Sequence, residues 1–459
     1  MDFLSLTDIQ KNLKEKKITP KELFDFYLNK ITKQNKNLNA FISLNDKAFE
    51  SKKKGLLSGI PLGVKDLFCT QDIRTTAGSK ALENYIPPYT ATAVKKLEDE
   101  GAIIIGKCNN DEFAMGSTGK NSYFGTVKNP WNLKHCAGGS SSGSASAVAG
   151  GLCPASLGTD TGGSVRLPAH YCNLVGLKPT YGRVSRYGMI AYASSLDQAG
   201  IFTHTVEDSA LLLDIISGFD PWDSTSVKKE PPYFQKKLNP NIKNKKILFF
   251  DLENLTDQIQ PEVLKAFQNC LKILKEKGCQ LVEKKWPFLQ YGLSAYYLIS
   301  TSEASSNLSR YDGIRYGYKS PKEPKDIQDF YALNRTESFG KEVRQRIFMG
   351  TFCLSAGYYE EYFHKACQVR NLIKQAFDDL FSTYEIIVSP VASSTAPLLN
   401  LEEKPLQTYL NDQFTVFSNL IGAPALSLPF SFSKENLPIG IQLMGPPFLE
   451  QNILDVAFS

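Results

Sequence analysis

Four histidines among 459 residues (His135, His170, His204 and His364) leave little material for imidazole chemistry, and no two stand at metal-ligand spacing. A Ser-His-Asp site is thereby reduced to His135 and His170, which neighbour serine-bearing stretches; each reads better as a structural residue. Nine scattered cysteines form no C-x-x-C pair, which argues against a disulfide framework and for a reducing, cytoplasmic setting. No uninterrupted apolar run approaches membrane-spanning length, and the first residues lack the basic and apolar blocks of a secretion signal. No Gly-Lys pair is followed by Ser or Thr, so a phosphate-cradling P-loop is missing. The 52 basic and 47 acidic residues leave a net charge of +5 spread along the chain, without the concentrated patch of a nucleic-acid binder.

What the chain does have is glycine and serine in two stretches, Gly138-Gly-Ser-Ser-Ser-Gly-Ser-Ala145 and Gly158-Thr-Asp-Thr-Gly-Gly-Ser-Val-Arg166. In each, a glycine pair is followed at once by a serine. Glycine lets main-chain N–H groups close on a ligand, so the pattern is one way to set a nucleophile beside an anion-binding nest. A flexible linker has the same composition. A linker has no use, however, for the small-residue helix Ala145 to Ala149 and the buried strand expected over Leu152 to Leu157 that flank the run.

The remaining pattern is α/β. Thr19-Pro-Lys-Glu22 supplies an N-cap, a helical first-turn proline and a capping-box glutamate. Gly59 to Phe68 and Ala102 to Ile105 read as apolar strands of a parallel sheet, with the helix Ala93 to Glu100 between them. Phe219 to Lys246 is a polar, proline-rich excursion. Beyond it come the strand Lys246 to Phe250, an amphipathic helix Pro261 to Lys277, a long helix from Tyr358 to about Phe381, and strands at 384–388, 425–428 and 439–443. The expected organisation is a single domain over 1–459. A catalytic core spans about 59–210, and a part completing the sheet and the substrate site spans about 247–459.

With histidine scarce, a serine nucleophile needs another base. A lysine serves if burial and hydroxyl neighbours strip its proton, and Lys65, closing an apolar strand, suits this better than any other lysine. On the residues alone, a solvated lysine at a strand end stays open as the alternative.

The two Gly/Ser stretches together with Gly63-Val-Lys-Asp66 resemble the signature of the amidase signature family, whose catalytic unit is Ser-cisSer-Lys. Position by position, the resemblance makes Ser164 the nucleophile, Ser140 the cis-serine and Lys65 the base. The backbone N–H groups of Thr161, Gly162, Gly163 and Ser164 would form the oxyanion hole. It implies an α/β amidase fold, a large mixed twisted sheet with helices on both faces.

Within that family the chain is similar, over nearly its whole length, to the glutaminase subunits of tRNA-dependent amidotransferases. The stretches that carry this likeness are Ala193 to Gln198, Glu303 to Leu308, Arg310 to Tyr316, Ala356 to Tyr359 and Tyr409 to Thr415. The likeness implies that Asp412 holds the α-ammonium of glutamine and Arg346 its α-carboxylate, with Arg344 the alternative arginine. It implies no metal and no cofactor in this chain. ATP and Mg are expected at a tRNA-binding partner, the B subunit of such complexes, with a small C subunit clamping the two. The tRNA substrate, Glu-tRNA(Gln), reaches the chain only through the complex. A stand-alone amide hydrolase and a non-catalytic scaffold are the competing readings. Two positions depart from the family pattern: Ser142 stands where glycine is usual, and Gly119-Lys120 where Thr-Glu is usual.

Overall fold

In the computed structural model, which describes residues 5–45, 53–230, 232–400 and 411–459, one mixed sheet of eleven strands forms the frame. Across the sheet the strands run Phe41–Leu44, Ile103–Cys108, Pro61–Lys65, Ser156–Asp160, Gln198–Thr203, Val175–Lys178, Ala425–Phe432, Pro438–Met444, Ile386–Pro390, Lys246–Phe250 and Gln280–Lys284. The α/β architecture and mixed sheet expected from the sequence are present.

Pro61–Lys65 is parallel to both of its neighbours and buried along its whole length, as its unbroken apolar run dictates. Its last residue, Lys65, therefore ends inside the molecule. Ser156–Asp160 lies beside it and turns antiparallel to Gln198–Thr203. The buried strand expected over Leu152 to Leu157 starts later, at Ser156. Gly151 and Pro154 interrupt the run, and 151–154 forms a turn.

The short helix Ser142–Ala149 is buried over nearly its entire surface, which small side chains alone allow so close to a sheet. Thr19 and Glu22 complete a reciprocal capping box at the head of Pro20–Leu38. Among its described residues, the excursion after Phe219 holds one short helix, Phe234–Lys237. A helix not expected from the sequence, Leu289–Asn307, packs over the second Gly/Ser stretch, with Tyr296 against Gly162 and Tyr297 next to it. Among the described residues, no helix is long and apolar enough to cross a membrane.

Candidate active site

The Lys65 side chain is fully buried, and its Nζ lies 2.8 Å from Ser140 Oγ, 2.9 Å from Ser141 Oγ and 2.7 Å from Thr159 Oγ1. Three hydroxyls thus surround one amine. Burial drives its pKa down to about 7, against the opposing pull of Asp111, Asp160 and Asp197. Ser141 is also the residue that opens the helix Ser142–Ala149, whose positive end further disfavours an ammonium there. The peptide bond between Gly139 and Ser140 is cis.

Ser164 sits in the turn between Ser156–Asp160 and the helix Arg166–Cys172, and its carbonyl accepts the Ser141 N–H at 3.2 Å. That bond ties the two serine stretches together. The turn is shaped by Asp160, whose carboxylate accepts from the N–H groups of Gly163 (2.9 Å) and Val165 (3.0 Å) and from the guanidinium of Arg166 (2.9 and 3.1 Å). Burial alone would raise Asp160; the charge and hydrogen bonds of Arg166, with the Lys178 charge and the Asn419 hydrogen bond, together outweigh it and hold the carboxyl at about 2. Arg166 further donates to Thr415 O, Gln442 Oε1 and Asn419 Oδ1, so its charge is spent on structure.

This arrangement revises one expectation. The Gly163 N–H already serves Asp160, whereas none of the described residues accepts from the N–H groups of Thr161, Gly162 or Ser164. Glycine is nonetheless required at 163, where φ is +136° and an added Cβ would lie 2.3 Å from Thr415 Oγ1.

Asp412 and Arg346, far apart in sequence, converge beside this turn. Tyr297 OH donates to Asp412 Oδ2 at 2.9 Å, and the Arg346 guanidinium lies over the rings of Tyr297 (5.4 Å) and Tyr192 (5.6 Å). Arg346 also donates to Tyr192 OH at 2.7 Å and pairs with Glu342 at 2.8 Å. Burial raises the Asp412 carboxyl to about 7, although Tyr297 and Arg346 pull it down. Arg344 acts instead on the buried Glu112, which burial raises to about 7 against the opposing pull of Ser79, the Gly340 N–H and the Arg344 charge. Of the two arginines, only Arg346 shares a neighbour with Asp412. Tyr192 and Tyr297 were not among the residues singled out by the sequence, and Asp197 is marked there only as part of the stretch Ala193 to Gln198, without a role.

Ser142 and Gly119, the two departures, touch. A Cβ at Gly119 would fall 2.7 Å from Ser142 Cβ, so the serine occupies the room that a side chain at 119 would need. Gly119→Ala is expected to destabilise the fold by about 1–3 kcal/mol through overpacking and its φ of +76°. Ser142→Gly should return part of that loss, and denaturant midpoints of the single and double variants read the coupling.

The histidines are engaged in structure. His135 contacts Ala396 O at 2.6 Å, and His170 bridges Ser394 O and the Gly440 N–H, with burial lowering it to about 4. All nine cysteines are free thiols.

Comparison with known proteins gives the family of the chain. A family model described as Amidase matches residues 22–454. The chain is 47% identical to the A subunit of the glutamyl-tRNA(Gln) amidotransferase of Bdellovibrio bacteriovorus, covering 100% of this chain and 96% of that one. It is 46% identical to the protein of the same name from Halothermothrix orenii, covering 99% and 96%. Among solved structures, the corresponding amidotransferase A subunit from Thermotoga maritima superposes with a TM-score of 0.85 at 40% identity, covering 100% and 94% of the two chains. A peptide amidase from Stenotrophomonas maltophilia superposes at 0.82 with 26% identity, covering 100% and 96%. With the family model matched over most of its length and these relatives matched end to end, the chain belongs to the amidase signature family.

Proposed function

We propose that this chain, acting as one catalytic unit over 1–459, hydrolyses the side-chain amide of glutamine and hands the ammonia to a partner protein for amidation of Glu-tRNA(Gln). The observation that carries this reading is the buried Lys65 amine held on three hydroxyls, Ser140 among them. Neutral Lys65 takes a proton from Ser140 as Ser140 takes one from Ser164, and the Ser164 Oγ bonds to the amide carbon. The N–H groups of Thr161, Gly162 and Ser164 receive the oxyanion, each donor being worth about 3–4 kcal/mol. As the C–N bond breaks, the proton returns from Lys65 through Ser140 to the leaving nitrogen, which departs as ammonia. Water then attacks the glutamyl ester by the same relay, releasing glutamate and restoring the Ser164 hydroxyl.

Asp412 and Arg346 supply the opposite charges that an amino-acid head group requires and a simple amide does not. An α-ammonium beside Asp412 favours its ionised form. Asp412→Asn is expected to raise KM for glutamine by about tenfold or more while leaving hydrolysis of an uncharged amide nearly unchanged. Equal effects on the two substrates would contradict the role.

Ammonia has value only where something consumes it, and the relatives' names make each of them one component of an amidotransferase. The partners expected here are a tRNA-binding B subunit that uses ATP and magnesium, and a small C subunit. The surface best suited to couple them to Ser164 includes the loop 181–187 and the segment 303–316, which runs from the end of the helix Leu289–Asn307 through a short turn into a loop. Tyr316, Ile314 and the nearby Tyr89 and Trp222 are exposed there, and a cavity of about 320 Å³ is lined by Tyr85, Tyr89, Arg310, Tyr311 and Tyr316. The test is glutaminase rate of the chain alone, then with the two partner proteins, ATP and Glu-tRNA(Gln) or Asp-tRNA(Asn) added stepwise. A rate that rises with the additions supports the amidotransferase reading, and a full rate from the chain alone, unchanged by any of them, supports a stand-alone amidase.

A further inference from the structure

Asp197 is a buried carboxylate that the mechanism above does not use. Its Oδ1 accepts from Thr161 Oγ1 at 2.7 Å and from the Ala193 N–H at 3.1 Å, and its Oδ2 accepts from the Tyr192 N–H at 2.9 Å. One end of this contact is the residue before Gly162 in the proposed oxyanion turn. The other end is Tyr192, whose hydroxyl accepts from Arg346 and donates to Ser300 Oγ at 3.0 Å. Two side chains in series, Asp197 bonded to the Tyr192 backbone and the Tyr192 ring beyond it, therefore connect the reacting end of the site to the arginine at its head-group end.

The opposite side of the site has a matching connection. Thr415 Oγ1 donates to Gly162 O at 2.6 Å, while the Thr415 N–H and hydroxyl both lie within hydrogen-bond distance of Asp412 O, at 3.0 and 3.1 Å. The oxyanion turn is thus braced separately toward Arg346 and toward Asp412. A substrate that must touch both ends at once is sensitive to the distance between them, because misplacement by about 1 Å costs on the order of 100-fold in rate.

We propose that Asp197 is a positioning residue that sets the span between the oxyanion turn and Arg346, and so selects an amino-acid amide of glutamine's length over the shorter asparagine. The inference rests on the glutaminase reading. Asp197→Asn tests it cleanly. An asparagine oxygen can keep the Thr161 and Ala193 bonds, but its amide nitrogen then faces the Tyr192 N–H, donor against donor. The head-group end is released while Ser164 stays in place, the one electrostatic consequence there being a weaker pull on Lys65 toward its charged form.

The experiment compares glutamine, asparagine and an uncharged amide on the full chain purified in its complex. Parallel labelling of Ser164 with a serine-directed electrophile reports the state of the nucleophile. For Asp197→Asn the expected result is a KM for glutamine raised by about tenfold, a smaller preference for glutamine over asparagine, and unchanged labelling when it is measured well above the Lys65 pKa, where the amine is neutral with or without the Asp197 charge. Thr161→Val should shift the preference in the same direction and Thr161→Ser, which keeps the hydroxyl, should not; this pair carries the test if Asp197→Asn does not fold. Wild-type preference in both Asp197→Asn and Thr161→Val, or equal loss on all three substrates, overturns the proposal. Failure of the underlying reading looks different: Ser164→Ala would then leave glutamine hydrolysis intact.

Discussion

Replacing Ser164 by alanine should lower glutamine hydrolysis by roughly 10⁵-fold or more, the scale seen when a nucleophile acting as part of a unit is removed. Stability should stay within about 0.5 kcal/mol of the parent, since Ser164 is a small residue, 9% exposed, and the turn is held by Asp160 and backbone bonds that alanine keeps. Glutamine turnover and a thermal melt on the same preparation separate the two effects. Unlike Asp197→Asn, this variant loses every amide substrate alike. Retained turnover in a preparation free of parent enzyme would remove Ser164 from the mechanism.

Lys65→Met should be nearly as severe, and the reason can be read in the pH profile. Only the neutral amine can accept the Ser140 proton. With its pKa lowered from 10.5 to about 7 by burial, Lys65 is mostly neutral above that pH and mostly ammonium below it. Activity should therefore be present above pH 7 and fall about tenfold for each unit below it. The acidic residues Asp111, Asp160 and Asp197 face this amine and favour its charged form, so removing a carboxylate charge should move the fall to lower pH. Asp111→Asn is the sharpest case, because Asp111 heads the causes that raise Lys65. A rate flat from pH 8 to 4 would contradict a lysine base.

The parts legible in the sequence are those where a local rule and the global fold agree. The unbroken apolar run before Lys65 specifies a buried strand and carries its terminal amine inside, and the capping box at Thr19 specifies a helix start; both are present. The glycine pairs mark backbone left open to a ligand; that a side chain at 162 would also meet Tyr296, and one at 163 Thr415, is visible only in the structure. The helix Leu289–Asn307 was not legible. It is rich in serine, threonine and tyrosine and is buried on several sides, so it lacks the polar and apolar faces that mark a surface helix. With it went Tyr296 and Tyr297. The contacts of Asp197, which lies in the named stretch Ala193 to Gln198, and of Tyr192 were hidden for another reason: their partners Thr161 and Arg346 are distant in sequence, and no spacing rule connects a loop aspartate to them. The engagement of the Gly163 N–H by Asp160 likewise depends on how the turn closes, which composition does not specify.

Mass spectrometry of the Ser164 peptide after acid quench of a glutamine reaction tests the central claim most directly. The result expected is a glutamyl ester on Ser164 that accumulates within the first turnovers, is absent in Ser164→Ala, and forms far more slowly in Lys65→Met. Sustained glutamine turnover with no adduct on Ser164, or an adduct on another residue, would contradict it.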